Sequence, residues 1–524
     1  MEKRKRLNLY PTNEMVIARN MKKRALNLKN LKKLFFAVFT FLLFTLPLME
    51  AVNAQSDGLN LEAEQNWDTY RVGGTCAVGT QNIFVGDVDG DGASEIVTGG
   101  FSYGNSSSGS GFGAPFKVWT WNGQNVTLKA SMTWIGSILC LYAADVDQDG
   151  TTDILCAGSS FGGSGNSTSS LRVLNLIDEQ ATLKAEYTGI PINAMFVSDV
   201  DKDGVNDLLT VGQTGMYSRN VGSSQLSLFQ LQGSDLTLVK SLPLAQFNVT
   251  CAISICASDL DNDGTVEIIV AGYSDSLSNS KGLVSIWNWN GQEFSEKTAI
   301  TWQLTGGTAI NPAGGTQGNT AVNNVKAGDL DGDGKKEIVT AGFAYDGARI
   351  DGQVKVWRWD GSNLIELASQ EWTTDYMTEA KSVALNDVNG DGKMEIVQSG
   401  IVAAEGSFNN PEAVHDRGQL RVWSFNGTSL SLIETYDWTF DEGVCAWNVG
   451  CGDVDQDGVV EMITVGCSAL LGDCDPDMRI WSLAVEANAS SSYLPYAAVV
   501  VLVVAGISYL VFLHFRKTKV QAPK

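Results

Sequence analysis

The sequence predicts an all-β fold, a seven-bladed β-propeller with four-stranded blades, and three observations carry that prediction. One acidic loop recurs seven times at near-regular spacing. Each loop is followed by a β-branched run rather than an amphipathic helix. Between the loops, an alternating strand recurs that ends in Asn-Gly or Asp-Gly, the strongest short-range hairpin signal.

The loop opens at Asp87, Asp145, Asp199, Asp259, Asp329, Asp387 and Asp453, with successive spacings of 58, 54, 60, 70, 58 and 66 residues. Position 3 is Asp89, Asp147, Asp201, Asp261, Asp331, Asn389 or Asp455, and position 5 is Asp91, Asp149, Asp203, Asp263, Asp333, Asp391 or Asp457. Position 9 is always acidic: Glu95, Asp153, Asp207, Glu267, Glu337, Glu395 and Glu461. Oxygens at positions 1, 3 and 5 converge as the backbone wraps, which suits a hard cation such as Ca²⁺. Glycine at position 6 (Gly92, Gly150, Gly204, Gly264, Gly334, Gly392, Gly458) permits the sharp turn. These 28 side chains are the expected ligands of up to seven structural Ca²⁺ ions, with water completing each shell. An EF-hand would need a bidentate Glu at position 12, where this chain has Thr98, Cys156, Thr210, Val270, Thr340, Gln398 and Thr464. One such acidic turn is ordinary; seven with matched positions 6 and 9 are a scaffold.

Four strands make each unit. Strand A leads into the loop and strand B leaves it. Strand C carries Trp119 and Trp121, Trp287 and Trp289, Trp357 and Trp359, or Trp423 and Phe425, each pair followed by Asn-Gly or Asp-Gly. Degenerate copies lie at 171–176, 226–231 and 478–483, and strand D follows the turn. The fixed place of the tryptophans points to packing between blades rather than sugar binding. The last strand C has no strand D after it, while residues 59–67 read as an orphan strand D. Ring closure by the N-terminal strand resolves both and removes an exposed edge.

With those elements assigned, residues 59–483 resemble the FG-GAP/VCBS repeats of the integrin α-subunit head and its microbial relatives. The resemblance implies a seven-bladed propeller with calcium in its loops. The family's Gly-Ala-Pro mark appears once, at Gly113, Ala114 and Pro115, and Gly99, Gly100 and Phe101 stand where its Phe-Gly mark would be. The resemblance therefore implies the fold and not an integrin.

Both ends differ from this body. A basic stretch, an apolar run over 34–48 and small residues before Gln55 read as a signal peptide over 1–54, with Met21 an alternative start. Residues 493–515 hold no acid or base except His514, long enough for a transmembrane helix. Arg516, Lys517 and Lys519 place the 516–524 tail in the cytoplasm, with 485–492 as linker. The propeller, 55–484, is then extracellular on a single-pass membrane protein. Six N-x-[S/T] sequons, headed by Asn105, Asn125, Asn166, Asn248, Asn426 and Asn488, agree with that address. Nine cysteines leave the thiol state open: Cys140 with Cys156 and Cys467 with Cys474 are candidate pairs, and buried thiols are the alternative.

The exterior holds 21 basic and 56 acidic residues, which argues against nucleic acid or an anionic lipid surface as partner. Of those acids, 27 are expected calcium ligands. A short linker at the end of strand C turns the calcium face toward the membrane. The longer loops 99–115, 306–323 and 400–418 then face outward, where contacts usually sit. The expected function is a calcium-stabilised binding or adhesion module for an extracellular protein or glycan. The other classes are a propeller enzyme acting on polysaccharide and a structural cell-envelope component. Enzyme chemistry is not expected, because His415 is the exterior's single histidine and no nucleophile–base set stands out. Residues 473–477 hold three more aspartates but lack the loop glycine, so an acidic turn is expected there.

Overall fold

A computed structural model describes residues 58–66, 76–104, 114–134, 136–161, 167–213, 224–244, 251–274, 280–303, 320–345, 349–375, 377–403, 416–439, 444–468 and 475–484. The expected signal peptide, linker, transmembrane helix and tail lie outside them, as do His415 and Cys474. No helix of the described residues is long and apolar enough to cross a membrane.

The described residues form 28 strands. The first is β1 (Leu59–Asn66). Next come β2 (Cys76–Gly86), β3 (Glu95–Gly104), β4 (Ala114–Trp121) and β5 (Val126–Trp134). They precede β6 (Ser137–Ala144), β7 (Asp153–Phe161), β8 (Ser167–Ile177) and β9 (Gln180–Thr188). The pattern continues with β10 (Ala194–Ser198), β11 (Asp207–Gln213), β12 (Ser224–Gln232) and β13 (Asp235–Pro243), then β14 (Cys251–Ser258), β15 (Glu267–Ser274), β16 (Lys281–Trp289) and β17 (Phe294–Trp302). Two further runs are β18 (Thr320–Gly328), β19 (Glu337–Tyr345), β20 (Ile350–Trp359) and β21 (Leu364–Trp372), and β22 (Met377–Asn386), β23 (Glu395–Ala403), β24 (Arg417–Phe425) and β25 (Leu430–Trp438). The last is β26 (Val444–Gly452), β27 (Glu461–Ser468) and β28 (Asp475–Leu483).

The fold is an all-β propeller, but hydrogen bonding gathers the strands into five sheets rather than the seven expected. Three sheets have four strands: β10–β13, β14–β17, and β26–β28 with β1. The other two have eight, β2–β9 and β18–β25. The physical reason is small. Within each eight-stranded sheet, two antiparallel four-strand runs touch through one residue pair, Phe101 with Ser137 or Ile350 with Met377.

The ring closes through its ends. β1 pairs antiparallel with β28, from Leu59 opposite Leu483 to Asn66 opposite Asp477. The Ala484 amide donates to the Gly58 carbonyl at 2.9 Å. Arg479 of β28 anchors the seam, donating to Glu64 of β1 at 2.9 Å and to Asp477 at 3.0 Å.

Hydrophobic cores sit between successive four-strand runs. Val97 and Val118 pack with Ile138 and Ile154, and farther round Val339 and Val356 pack with Ile396 and Trp423. A further core joins the last run to the first, through Trp119 and Trp121 against Val454, Met478 and Ile480. The tryptophans are packing residues. Trp302 meets Trp357, Trp372 meets Trp423, and Trp438 meets Trp481, with ring centroids 5.0, 5.3 and 5.1 Å apart. Such tilted pairs contribute about 0.5–1.5 kcal/mol each beyond the area they bury. Position 12 of the loop finds its use in the same cores. Thr98, Thr340 and Thr464 accept hydrogen bonds from the buried indole N–H of Trp119, Trp357 and Trp481 at 3.0–3.1 Å.

In every run but the third, strand A carries a β-bulge where strand B carries glycine. An added Cβ at Gly158, Gly272, Gly342, Gly400 or Gly466 would fall 1.7–2.2 Å from a strand A carbonyl oxygen, and one at Gly212 would fall 1.8 Å from the Pro191 carbonyl ahead of β10. Because that neighbour is backbone, it has nowhere to retreat. Gly342→Ala is expected to destabilise the protein by about 3 kcal/mol or more. A calorimetric melt of the variant against the parent reads this directly.

The cysteines follow the same bulges. In the β6–β7 ladder Cys140 lies opposite Ala157 and Cys156 opposite Leu141, so the two buried thiols point to different cores and are free. Cys445 instead lies directly opposite Cys467 across β26 and β27.

Candidate metal centres

All seven acidic loops join a strand A to a strand B, as the sequence implies. Their shared geometry follows from backbone bonds. The position 6 amide donates to the position 1 carboxylate in every copy, at 2.8–3.1 Å from Gly92 to Gly458. The position 7 amide donates to position 5 at 2.7–2.9 Å. The position 6 glycines all have φ between +87° and +91°, where a side chain is strained. Position 4 is also left-handed, and Gln148, Lys202, Asn262 and Gln456 tolerate it without being glycine.

Position 9 is the first residue of strand B and is buried in every copy. One of its carboxylate oxygens accepts the position 2 amide at 2.9–3.3 Å in all seven loops. The other turns toward positions 1, 3 and 5. Burial pushes the Asp207 carboxyl up to about 6, and those of Glu395 and Glu461 up to about 7. A buried carboxylate needs a partner or a cation. Strand C supplies some of the partnering from the residue between its two large side chains: Asn175 donates to Asp153 at 2.9 Å and Gln230 to Asp207 at 3.2 Å. Nothing in the sequence pattern distinguishes these residues from ordinary outward positions of a strand.

The loops differ in what meets their remaining oxygens. In the first loop the Lys129 ammonium of β5 lies 2.5 Å from Asp89, 3.3 Å from Asp91 and 2.8 Å from Glu95. In the second, Lys184 of β9 lies 2.9 Å from Asp147, 3.0 Å from Asp149 and 2.9 Å from Asp153. In the fifth, Arg358 of β20 reaches Asp331, Asp333 and Glu337 at 3.2, 3.1 and 2.5 Å. The sixth loop is bridged internally, Asn389 donating to Asp391 at 3.3 Å and to Glu395 at 2.8 Å.

In the third, fourth and seventh loops, Asp201 Oδ1, Asp259 Oδ1 and Asp453 Oδ1 are buried without a hydrogen-bond donor. Those orphaned oxygens fit a hard cation. Asp199, Asp201 and Asp203 have ligand atoms within 4.8 Å of one another, as do Asp259, Asp261 and Asp263. The first, second and fifth loops cluster as tightly, but there a side-chain cation sits among the carboxylates.

The loops also stitch neighbouring runs together. The Gly233 amide donates to Asp147 of the preceding run at 3.1 Å. Asp201, Asp261, Asp331 and Asp455 lie against the turn glycines Gly291, Gly361, Gly427 and Gly123, where an added Cβ would meet the carboxylate at 2.8–3.2 Å. The last of these contacts joins the seventh loop to the first run, as does the bond from Gln456 to the Gly92 carbonyl at 3.0 Å.

Comparison with known proteins places this geometry. A family described as FG-GAP-like repeat matches residues 259–340 and 329–397, the stretch that holds the fourth, fifth and sixth loops. No curated protein matches the chain. Among solved structures, the rhamnogalacturonan lyase YesW is 13% identical, with 82% of this chain and 76% of that one covered and a TM-score of 0.41. A rhamnogalacturonan lyase from Bacillus licheniformis is 15% identical over the same shares, with a TM-score of 0.30. Sqt1 from Chaetomium thermophilum is 12% identical over 77% of this chain and 97% of that one, with a TM-score of 0.41.

Proposed function

We propose that this chain, a β-propeller carrying FG-GAP-like repeats, is a cell-surface binding module whose scaffold calcium stabilises. The observation that carries the reading is the inward commitment of the acidic loops. Their carboxylates accept bonds from their own backbone, face one another, and lean on the turn of the next run. An edge spent on its own cohesion is scaffold, and recognition then falls to the opposite edge. The residues assigned to that edge are 99–115, 306–323 and 400–418, the long connections from strand B to C or D to A. Their occupant is an extracellular protein or glycan, as the strongly acidic exterior and the apolar segments at 34–48 and 493–515 support. Seven blades is the reading the inter-run cores favour, with two neighbouring pairs sharing an edge through one residue pair each.

The test is a screen of the full chain, displayed on cells, against glycan arrays and extracellular protein panels in calcium and in chelator. A saturable ligand lost on shortening 404–415, with the melt unchanged, is the expected result. Turnover of a polysaccharide, or failure of every ligand, overturns the reading.

A further inference from the structure

Strand D carries a β-bulge at the same place in every four-strand run. Opposite consecutive residues of strand C the register skips one residue, which is Lys129, Lys184, Val239, Lys297, Leu367, Ile433 or, in the closing strand, Glu62. A bulge re-aims a side chain. In the first two runs it aims a lysine into the acidic loop of the same run, and each lysine is nearly buried there, at 13% and 11% exposure. The carboxylates of positions 3, 5 and 9 converge on its ammonium from three sides.

Those same three side chains would have to supply oxygens at about 2.3–2.6 Å to calcium. An ammonium and a calcium ion cannot both occupy the point they share. Among the described residues, orphaned loop oxygens occur only where no bulge lysine is seated: Asp201, Asp259 and Asp453 belong to the third, fourth and seventh loops, while Arg358 meets the acids of the fifth and Asn389 bridges the sixth. Lys297 stands at the bulge of the fourth run but is exposed, and no ion pair joins it to the fourth loop among the described residues. In the seventh, Glu62 puts an acid where the first two runs put a base.

We propose that the seated bulge lysines, Lys129 and Lys184, are the resident cations of the first and second loops, so that calcium enters only loops without one. The ring thus carries two loops whose acidity a bulge lysine permanently offsets in part, and a fifth loop met by Arg358, beside loops whose compensation depends on the medium. This rests on the calcium reading of the scaffold and narrows it.

Calcium stoichiometry of the full chain, measured by equilibrium dialysis and calorimetric titration with calcium chloride alone, tests it. The parent is expected to bind five ions at most. Lys129→Met and Lys184→Met, prepared in calcium so that the emptied loop can be filled, should each gain one ion, and Lys297→Met should gain none. Six or seven ions on the parent overturn the inference and leave the calcium scaffold standing. An unchanged count in both Lys129→Met and Lys184→Met also overturns it. No bound calcium at all overturns the scaffold reading together with the inference.

Discussion

Removal of calcium is expected to cost the propeller about 2–7 kcal/mol relative to 1 mM calcium. Extracellular sites of this kind bind at roughly 10⁻⁴–10⁻³ M, so each occupied loop contributes about 0.4–1.4 kcal/mol at that concentration, and four or five loops give the total. That is a large part of a domain's net stability. Calorimetry in calcium and after full chelation reads it as a lower melting temperature, and an unchanged melt rejects calcium as a scaffold element. The chelated protein should also show a pH dependence of defined sign. Burial raises Asp207, Glu395 and Glu461 above the unfolded carboxylate range, to about 6, 7 and 7. In the absence of metal the folded state binds more protons than the unfolded state between roughly pH 4.5 and 7. The stability these groups contribute is complete at the acid end and is lost as pH rises through their folded values. The chelated protein should therefore melt higher at pH 5.5 than at pH 8, and saturating calcium should remove that difference.

Deletion of residues 58–66 is expected to abolish cooperative folding, an effect on the order of 5 kcal/mol or more and comparable with the whole stability of a domain. The deletion strips the ladder partner from β28, whose Met478, Ile480 and Trp481 are buried. It also removes Glu64 from the buried Arg479 and opens a sheet edge. A companion construction separates loss of this strand from general damage. Because Leu59 lies opposite Leu483, a short turn can join residue 484 to residue 58. A chain permuted to begin at 76, with 58–66 fused after 484, should regain a cooperative melt. A deletion variant that melts like the parent would sink the closure argument.

The loops and the closing strand were legible in the sequence because they are local. The Asp and Gly spacing of residues 87–95 and its repeats encodes the turn within nine residues, and an unmatched strand C at 478–483 advertises a missing partner. What escaped depends on contacts set by tertiary register. Lys129 meets Glu95 only because a bulge in β5 turns it, and the bulge leaves no residue signature. Gly427 lies against Asp331 across a boundary between runs, so its glycine serves a neighbour as well as its own turn. Cys140 and Cys156 looked suited to a hairpin pair, yet the bulge at Leu139 shifts them by one residue and turns them to different cores. The expectation of seven separate sheets failed for a comparably small reason, since single residue pairs decide where one sheet ends.

The closing seam has a mechanical consequence. Residue 58 and residue 484 leave from the same end of the β1–β28 ladder, joined by the Gly58–Ala484 hydrogen bond. Tension pulling those two points apart would load the ladder's bonds one after another, as in a zipper, rather than all at once in shear. A pull shared between the chain's two flanking segments would open the ring at low force. Held by the 484 end alone, with the other flank slack, the seam would carry no such load.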